Sequence, residues 1–333
     1  MLKPYMPPKI LITRPIFSDV IARCREYFDV EVNEGARYTP EQLHVALEDK
    51  EGVLLAGGEK ITAGTLAGLT RLKAICVSAA GFNNLDIAAI TKAGIIAANS
   101  PGPADETVAD YTWGLMITTA RRIAEGDRWV RAGNWNGSVG SSFFGVNLCD
   151  KTLGIIGMGR IGQAIARRAL GFRMKVLYYN RRPLDKGIEE ECRAVYATKE
   201  ELLGKADFIV LALPLNAENY HIIGEAQLAL IRPTAMLFNI ARGGLIDEPA
   251  LARVLREQKI AGAGLDVFEG EPSVHSGLQG LPNVVMTPHI AGGTWEAQHG
   301  LAMLAAENLI AALGLGPHAG APPGIVNPEV LKK

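Results

Sequence analysis

The stretch TLGIIGMGRIG, residues 152–162, decides the fold of this chain. Its apolar first half predicts a buried strand, and three glycines follow in the pattern GxGxxG: Gly157, Gly159 and Gly162. The first permits a tight strand-to-helix turn, the second leaves room for a pyrophosphate, and the third lets helix and strand pack closely. The N–H groups of Arg160 and Ile161 are then expected at the start of a helix, where they meet phosphates. The pattern predicts a dinucleotide-binding turn; the alternative is a turn that binds nothing.

The end of the next apolar strand, residues 175–179, indicates which dinucleotide binds. NAD-binding folds usually carry Asp or Glu about 20 residues past the glycines, where it binds the adenosine ribose. This chain has Asn180 there, followed by Arg181 and Arg182. A carboxylate would repel a 2′-phosphate, whereas two guanidiniums bind one through charge-assisted hydrogen bonds. We therefore expect NADPH (NADP) to be preferred, with NAD possible; the alternative is that the arginines form only a solvated basic turn.

Composition favours a two-domain α/β protein. The chain has 333 residues, enough for two domains, and its 37 glycines suit many tight strand-helix turns. The 34 basic and 35 acidic residues nearly cancel, so neither nucleic acid nor a membrane is an expected partner. Four scattered cysteines without metal-ligand spacing favour reduced thiols and predict neither a disulfide nor a metal site. We see no signal peptide and no long apolar run, and so expect a cytoplasmic protein.

Apolar runs alternate with helical segments along the chain, which predicts parallel, doubly wound sheets. Five runs precede residue 100: 10–13, 30–32, 53–56, 74–78 and 95–99. Seven more follow residue 152: 153–156, 175–179, 194–197, 208–213, 235–240, 262–266 and 284–287. Between the two sets, the segment Ser100–Pro103 should act as a hinge, and a single connecting helix is expected from Asp105 to about Arg131.

The expected arrangement is a Rossmann-type cofactor domain inserted into a flavodoxin-like substrate domain. Residues 103–295 would form the cofactor domain, and residues 1–102 and 296–333 the substrate domain. The reason is the last amphipathic segment, from about Trp295 to Leu313, whose length and terminal position indicate a helix that returns to the first sheet.

Three polar residues follow strands of the second set, where open parallel sheets bind their ligands. Arg242 lies in NIARGG, Glu271 in LDVFEGEP and His289 in MTPHIAGG. Hydride transfer to a carbonyl requires a proton donor at the oxygen, which His289 can supply, and a cation for the substrate's negative end, which Arg242 can supply. A carboxylate such as Glu271 orients an imidazole and favours its protonated form. Taken singly, each of the three could equally be an ordinary loop or surface group.

Six segments of the chain resemble signatures of the D-isomer-specific 2-hydroxyacid dehydrogenase family, in the family's order. They are VSAAGFNNLDI, PADETVADYTWGLM, KTLGIIGMGRIGQAIARR, FNIARGGLIDEPAL, AGAGLDVFEGEP and VVMTPHIAGGT. Within the family the chain is most similar to NADP-preferring glyoxylate and hydroxypyruvate reductases and to 2-ketogluconate reductases. The resemblance implies NADPH-dependent reduction of a small 2-keto acid to the D-2-hydroxy acid.

The resemblance also implies roles for individual residues. Arg242, Glu271 and His289 would be the catalytic set, with His289 as general acid. The N–H groups of Ala80 and Gly81 would hold the substrate carboxylate together with Arg242. Three further positions would line the cofactor: Thr107, Ile240 through its main chain, and Asp266 at the nicotinamide carboxamide.

Two other functions share this architecture. One is a non-catalytic interaction protein that senses the cofactor; the long tails of such corepressors are missing from this sequence. The other is a dehydrogenase with a different donor, such as formate, which would be expected to replace the Glu271–His289 pair.

The family also implies a homodimer built around residues 105–149. Trp135, Phe143 and Phe144 lie there without an obvious place in one domain, so they are expected to reach the partner's active site or, alternatively, to pack locally.

Overall fold

The computed structural model describes residues 6–332. These residues form two compact units. The first contains the described residues up to Ala104 together with those from Thr294 onward, and the second is Asp105–Gly293. Each unit is built on one parallel β-sheet with helices, so the predicted fold class of two parallel-sheet α/β domains is confirmed.

All twelve strands expected from the apolar runs are present in the structure. They are β1 (Lys9–Ile12), β2 (Asp29–Val32), β3 (Gly52–Leu55), β4 (Ala74–Val77), β5 (Ile96–Ala98), β6 (Thr152–Ile156), β7 (Lys175–Tyr179), β8 (Ala194–Tyr196), β9 (Phe208–Leu211), β10 (Met236–Asn239), β11 (Gly262–Leu265) and β12 (Val284–Met286). The central strands β3, β4, β9, β10 and β11 are buried at every residue, which explains their apolar character, whereas the edge strand β2 is partly exposed and carries Asp29 and Glu31.

Helices separate most consecutive strands; two lie between β5 and β6, and β11 and β12 are joined without a helix. The helices are α1 (Ser18–Arg25), α2 (Pro40–Leu47), α3 (Ala63–Leu66), α4 (Ile87–Lys92), α5 (Asp105–Ala120), α6 (Ile123–Arg131), α7 (Arg160–Ala169), α8 (Lys186–Cys192), α9 (Lys199–Lys205), α10 (Glu225–Leu228), α11 (Glu248–Arg256) and α12 (Trp295–Ala312). No helix within residues 6–332 is long and apolar enough to cross a membrane.

The first unit has the sheet order β2-β1-β3-β4-β5, with every neighbouring pair parallel. This is the flavodoxin-like order. Helix α12 packs on this sheet through a face of small and aliphatic residues, among them Ala302, Ala305 and Leu309, each at most 2% exposed. The close approach depends on Gly52, because a Cβ there would lie 2.8 Å from Cδ1 of Leu309.

The second unit has the sheet order β12-β11-β10-β9-β6-β7-β8. Strands β6, β7 and β8 extend in one direction from the centre, and β9 to β12 extend in the other. This is the Rossmann order with one additional strand. The direction in which successive strands are added to the sheet reverses between β6 and β9. Ligands of such sheets bind outside the carboxyl ends of the strands near this reversal.

The single helix expected from Asp105 to about Arg131 is wrong, because the structure has two helices with a break at Arg122. Arg122 has φ 56°, in the left-handed region, and its N–H donates to the carbonyl of Thr119. Its guanidinium pairs with Glu125, at 2.7 Å between Nε and Oε2, and lies 5.0 Å above the ring of Phe143. These contacts outweigh the local preference for a continuous helix, which is weak.

Candidate active site

The glycine turn between β6 and α7 has the geometry that its pattern predicts. Gly157 has φ +101°, and a Cβ there would lie 2.6 Å from the carbonyl oxygen of Ala212. A Cβ on Gly162 would lie 2.4 Å from the carbonyl oxygen of Gly157, whereas one on Gly159 would meet no atom within 4 Å. The first and third glycines are therefore required by packing, and the second faces open space at the start of α7. N–H groups at a helix start have no helical acceptor, so they are available to an anion.

Asn180, directly after β7, contacts the same turn. Oδ1 of Asn180 accepts a hydrogen bond from the N–H of Met158, at 2.7 Å, and so fixes the glycine turn against the end of β7. Arg181 is highly exposed, and its Nη1 lies 3.6 Å from Oε2 of the equally exposed Glu218. An ion pair this exposed contributes at most about 1 kcal/mol, so the guanidinium can turn to another anion. These groups fit a phosphate-bearing dinucleotide.

Adjacent strands bring the three catalytic candidates to one edge of the second sheet. Arg242 follows β10, Glu271 follows β11 and His289 follows β12, and these strands are neighbours in the sheet. Since parallel strands have their carboxyl ends at the same edge, the three loops lie side by side.

Glu271 and His289 are in direct contact. Oε2 of Glu271 lies 2.8 Å from Nδ1 of His289, while Oε1 accepts a hydrogen bond from the N–H of Phe268 at 2.9 Å. The two side chains are 35% and 46% exposed, so solvent and small molecules can reach them. A carboxylate that binds Nδ1 orients the ring and leaves Nε2 free to exchange a proton with a ligand.

Asp266 fixes the loop that carries His289. Its carboxylate has no exposed surface and accepts four hydrogen bonds. The donors are the hydroxyls of Tyr111 (3.2 Å) and Thr287 (2.7 Å) and the N–H groups of Ile290 and Ala291 (both 2.9 Å). The backbone of Asp266 also takes part, because its carbonyl accepts from the N–H of His289 at 2.8 Å.

These contacts hold His289 in the left-handed region, at φ 55°, a conformation that costs energy in a residue with a Cβ. Tyr111 takes part as a neutral donor, because burial beside Asp266 raises its pKa to about 12. The predicted contact of Asp266 with the nicotinamide carboxamide stays a prediction. In the structure, the Asp266 carboxylate accepts hydrogen bonds from the loop that carries His289.

Arg242 is held by its own loop. Nη1 donates to the carbonyl of Ala241 at 2.6 Å, and Nδ2 of Asn239 donates to the carbonyl of Arg242 at 2.8 Å. Burial lowers the pKa of Arg242, and the negative charge of Glu271 opposes that shift. The guanidinium still carries its charge at neutral pH. A partly desolvated cation beside the Glu271–His289 pair can bind an anionic group of a ligand.

The remaining predicted residues lie as follows. Thr107 is in the first turn of α5, and Ile240 follows β10 with 7% exposure, both in the second unit. Ala80 and Gly81 belong to the first unit and follow β4. The carbonyl of Ala80 accepts from Nδ2 of Asn99 at 2.5 Å, and within residues 6–332 the N–H groups of Ala80 and Gly81 have no acceptor. Free N–H groups in a loop suit a carboxylate.

Sequence reasoning missed the residues that hold these loops: Asn239, Tyr111 and Thr287. One signal was present, since Asn239 is a polar residue inside the apolar run of β10 and is 1% exposed. A buried polar side chain needs partners, and Asn239 finds them in the N–H of Ala241 and the carbonyl of Arg242. Among the described residues, no group of three or more His, Cys, Asp or Glu side chains could hold a metal ion.

Comparisons with known proteins identify the family of the chain. Residues 113–291 match the family model for the NAD binding domain of D-isomer specific 2-hydroxyacid dehydrogenases. A glyoxylate reductase from Thermococcus gammatolerans is 43% identical over 332 residues, which cover 98% of both chains.

Solved structures of related proteins indicate the same family. A glyoxylate reductase from Paecilomyes thermophila superposes with a TM-score of 0.88 at 32% identity, covering 97% of this chain and 99% of that one. The NADPH-dependent glyoxylate/hydroxypyruvate reductase of Sinorhizobium meliloti, in complex with NADP and malonate, gives 0.85 at 28% identity over 96% of each chain. The resemblance of the six motifs is thereby confirmed: the chain belongs to the D-isomer specific 2-hydroxyacid dehydrogenase family and is an oxidoreductase.

Proposed function

We propose that the protein uses NADPH to reduce a small 2-keto acid to the D-2-hydroxy acid. Candidate substrates are glyoxylate, hydroxypyruvate and 2-ketogluconate. The observation that carries the proposal is the 2.8 Å contact between Glu271 and His289, with the partly buried guanidinium of Arg242 in the neighbouring loop. The same contact disfavours a formate-type donor, for which another group would be expected in place of this pair.

In this mechanism the side chains bind the acid and deliver a proton. Arg242 holds the substrate carboxylate through its positive charge. When bound, the nicotinamide supplies a hydride to the carbonyl carbon. Nε2 of His289 gives its proton to the carbonyl oxygen, which becomes the hydroxyl, and Glu271 stabilises the imidazolium until then. His289 regains its proton from solvent, to which it is exposed.

NADPH is proposed over NADH on the strength of the residues after β7. Asn180 is neutral and is already engaged with Met158, and Arg181 and Arg182 offer positive charge at the position where an acidic residue would repel a 2′-phosphate. Glu218 counteracts this preference through its pairing with Arg181. Support also comes from the Sinorhizobium meliloti relative, which is named as NADPH-dependent and was solved with NADP.

The function can be tested by measuring oxidation of NADPH and NADH with glyoxylate, hydroxypyruvate, pyruvate and 2-ketogluconate. His289→Gln should lower kcat by about 10²- to 10⁴-fold, the usual contribution of a general acid. The matched control is His44→Gln, because His44 lies on α2 in the first unit, where its Nδ1 is 3.0 Å from the carbonyl oxygen of Thr65. Near-normal turnover of His289→Gln would exclude the proposed role.

We also propose that two copies of the chain associate through the segment that contains α6. Seven large apolar residues between positions 123 and 146 are at least 41% exposed: Ile123, Trp129, Val130, Trp135, Val139, Phe144 and Val146. Phe143 packs locally against Trp129, with 6.0 Å between ring centroids, whereas Trp135 and Phe144 are 65% and 71% exposed. Apolar patches of this kind mark interaction surfaces. Sedimentation equilibrium should give a dimer, and Phe144→Asp should shift it towards monomer; a monomeric wild type would refute the proposal.

A further inference from the structure

The loop that carries Glu271 is held from its other side by Glu269. The hydroxyl of Tyr220 donates to Oε1 of Glu269, and Nε2 of His221 lies 3.2 Å from Oε2. The rings of Tyr220 and His221 stack on each other, with 3.9 Å between centroids and 18° between planes. Both carboxylate oxygens of Glu269 are therefore engaged by one rigid pair of rings. We call Tyr220, His221 and Glu269 the loop clamp.

The backbone at Glu269 is fixed as well. Its N–H donates to Oε1 of Glu248, at 2.7 Å. Glu248 is only 5% exposed, and burial raises the pKa of its carboxyl group. The preceding N–H, that of Phe268, donates to Oε1 of Glu271. Two successive N–H groups thus fix this piece of backbone: that of Phe268 binds the side chain of Glu271, and that of the clamp residue Glu269 binds Glu248.

The clamp also binds the loop of Arg242. The N–H of His221 donates to the carbonyl of Gly244 at 2.8 Å, and His221 adopts the left-handed conformation, at φ 51°, to do so. A Cβ on Gly244 would lie 3.4 Å from the ring of Tyr220, and one on Gly243 would lie 1.8 Å from the carbonyl carbon of Phe268. The loops after β9, β10 and β11 are therefore packed directly on one another.

We propose that the loop clamp positions Glu271, and through it the imidazole of His289, for proton delivery. The inference rests on the proposed function, since it concerns the same site. Glu269 and His221 are 33% and 28% exposed, and pairs of that exposure contribute little to stability. Their removal should therefore change the geometry of Glu271 much more than the stability of the fold. The three clamp residues act as positioning residues and take no part in the chemistry themselves.

A double-mutant cycle tests this inference. Glu269→Ala should lower kcat about 10- to 30-fold, within the range seen when supporting contacts are lost and no more than loss of the Glu271 carboxylate itself, with an unchanged KM for NADPH. In a Glu271→Gln background the same change should lower kcat less than about twofold, because the residue through which the clamp acts has already been altered. Glu269→Gln should retain most of the activity, since its amide oxygen still accepts from Tyr220.

The matched control is Glu257→Ala, which removes a partly exposed glutamate of the same unit whose ion pair with Lys259 spans 2.7 Å. It should leave kcat unchanged. If Glu269→Ala lowers kcat equally in the wild type and in Glu271→Gln, Glu269 has a merely structural role and the inference is overturned. A Glu269→Ala variant with the unchanged kcat expected of Glu257→Ala would also overturn it.

Amide hydrogen exchange separates failure of the clamp from failure of the proposed function, because it needs no turnover. Glu269→Ala should accelerate exchange in the peptide that contains Phe268 and Glu269, while peptides from β6 and α7 stay unchanged. Unchanged exchange around Phe268 would overturn the clamp even in an active enzyme. An inactive wild type would refute the proposed function, and the exchange result would still decide whether Glu269 holds the loop.

Discussion

Replacing Glu271 with Gln tests how much the carboxylate contributes to proton delivery. The amide oxygen of Gln can accept from the N–H of Phe268, as Oε1 does at 2.9 Å, so the loop should stay folded. The amide nitrogen would then lie near the position of Oε2, 2.8 Å from Nδ1 of His289, where it donates instead of accepting. The imidazolium form has a proton on Nδ1 and therefore loses its acceptor.

The expected size of the effect follows from the distance and the exposure. Opposite charges about 4 Å apart attract by about 4 kcal/mol at an effective dielectric constant of 20 and by about 1 kcal/mol in bulk water. The Glu271 and His289 side chains are 35% and 46% exposed, which places the pair towards the aqueous limit. We therefore expect Glu271→Gln to remove about 1–2 kcal/mol of imidazolium stabilisation, which corresponds to about a 5- to 30-fold fall in kcat.

The assay is steady-state oxidation of NADPH with glyoxylate, from which kcat and KM are obtained separately. Glu257→Gln serves as the control for loss of one partly exposed negative charge in the same unit. A kcat within twofold of wild type would refute the reasoning. So would an effect confined to KM, since the imidazolium is needed for the chemical step and not for binding.

Three further predictions concern the cofactor site and the supporting residues. Changing Arg181 and Arg182 together to Ala should weaken the binding of NADPH at least about tenfold more than the binding of NADH, because only NADPH carries the 2′-phosphate. An unchanged ratio of the KM values for NADPH and NADH would show that the two arginines do not contact the cofactor. Asp266→Asn should lower the free energy of unfolding by about 2–3 kcal/mol, since a buried carboxylate with four donors loses an acceptor; urea denaturation measures it, and a change below about 0.5 kcal/mol would contradict the prediction. Burial raises the pKa of Glu248, so the folded protein holds this proton to higher pH than the unfolded chain and stability falls as pH rises above about 4.3, the usual value for glutamate. Glu248→Gln should therefore gain thermal stability relative to wild type between about pH 4 and pH 7, whereas a constant difference in Tm would show that Glu248 does not contribute to the pH dependence.

The sheet architecture was predictable because it depends on short-range signals. An apolar run between turn residues is sufficient to predict a buried parallel strand, and Gly157 and Gly162 are required by a turn whose geometry is local. Arg242, Glu271 and His289 could be found because each directly follows such a strand. Adjacency in the sheet then brings their loops together.

The break at Arg122 and the supporting contacts could not be predicted in the same way. Arg122 is a good helix former, and its left-handed conformation depends on a contact with Phe143, twenty-one residues further on. The contact between Tyr220 and Glu269 joins residues 49 positions apart. Partners this distant in sequence leave no periodic pattern, so only the folded chain reveals that they meet.

Arg242, Glu271 and His289 all belong to the second unit, where Glu271 and His289 are in direct contact. This has a consequence for how the protein can evolve. A substitution in the first unit removes no atom that the contact between Glu271 and His289 uses. Evolution can therefore alter residues of the first unit, among them Ala80 and Gly81, while both residues of this contact stay encoded in the second unit.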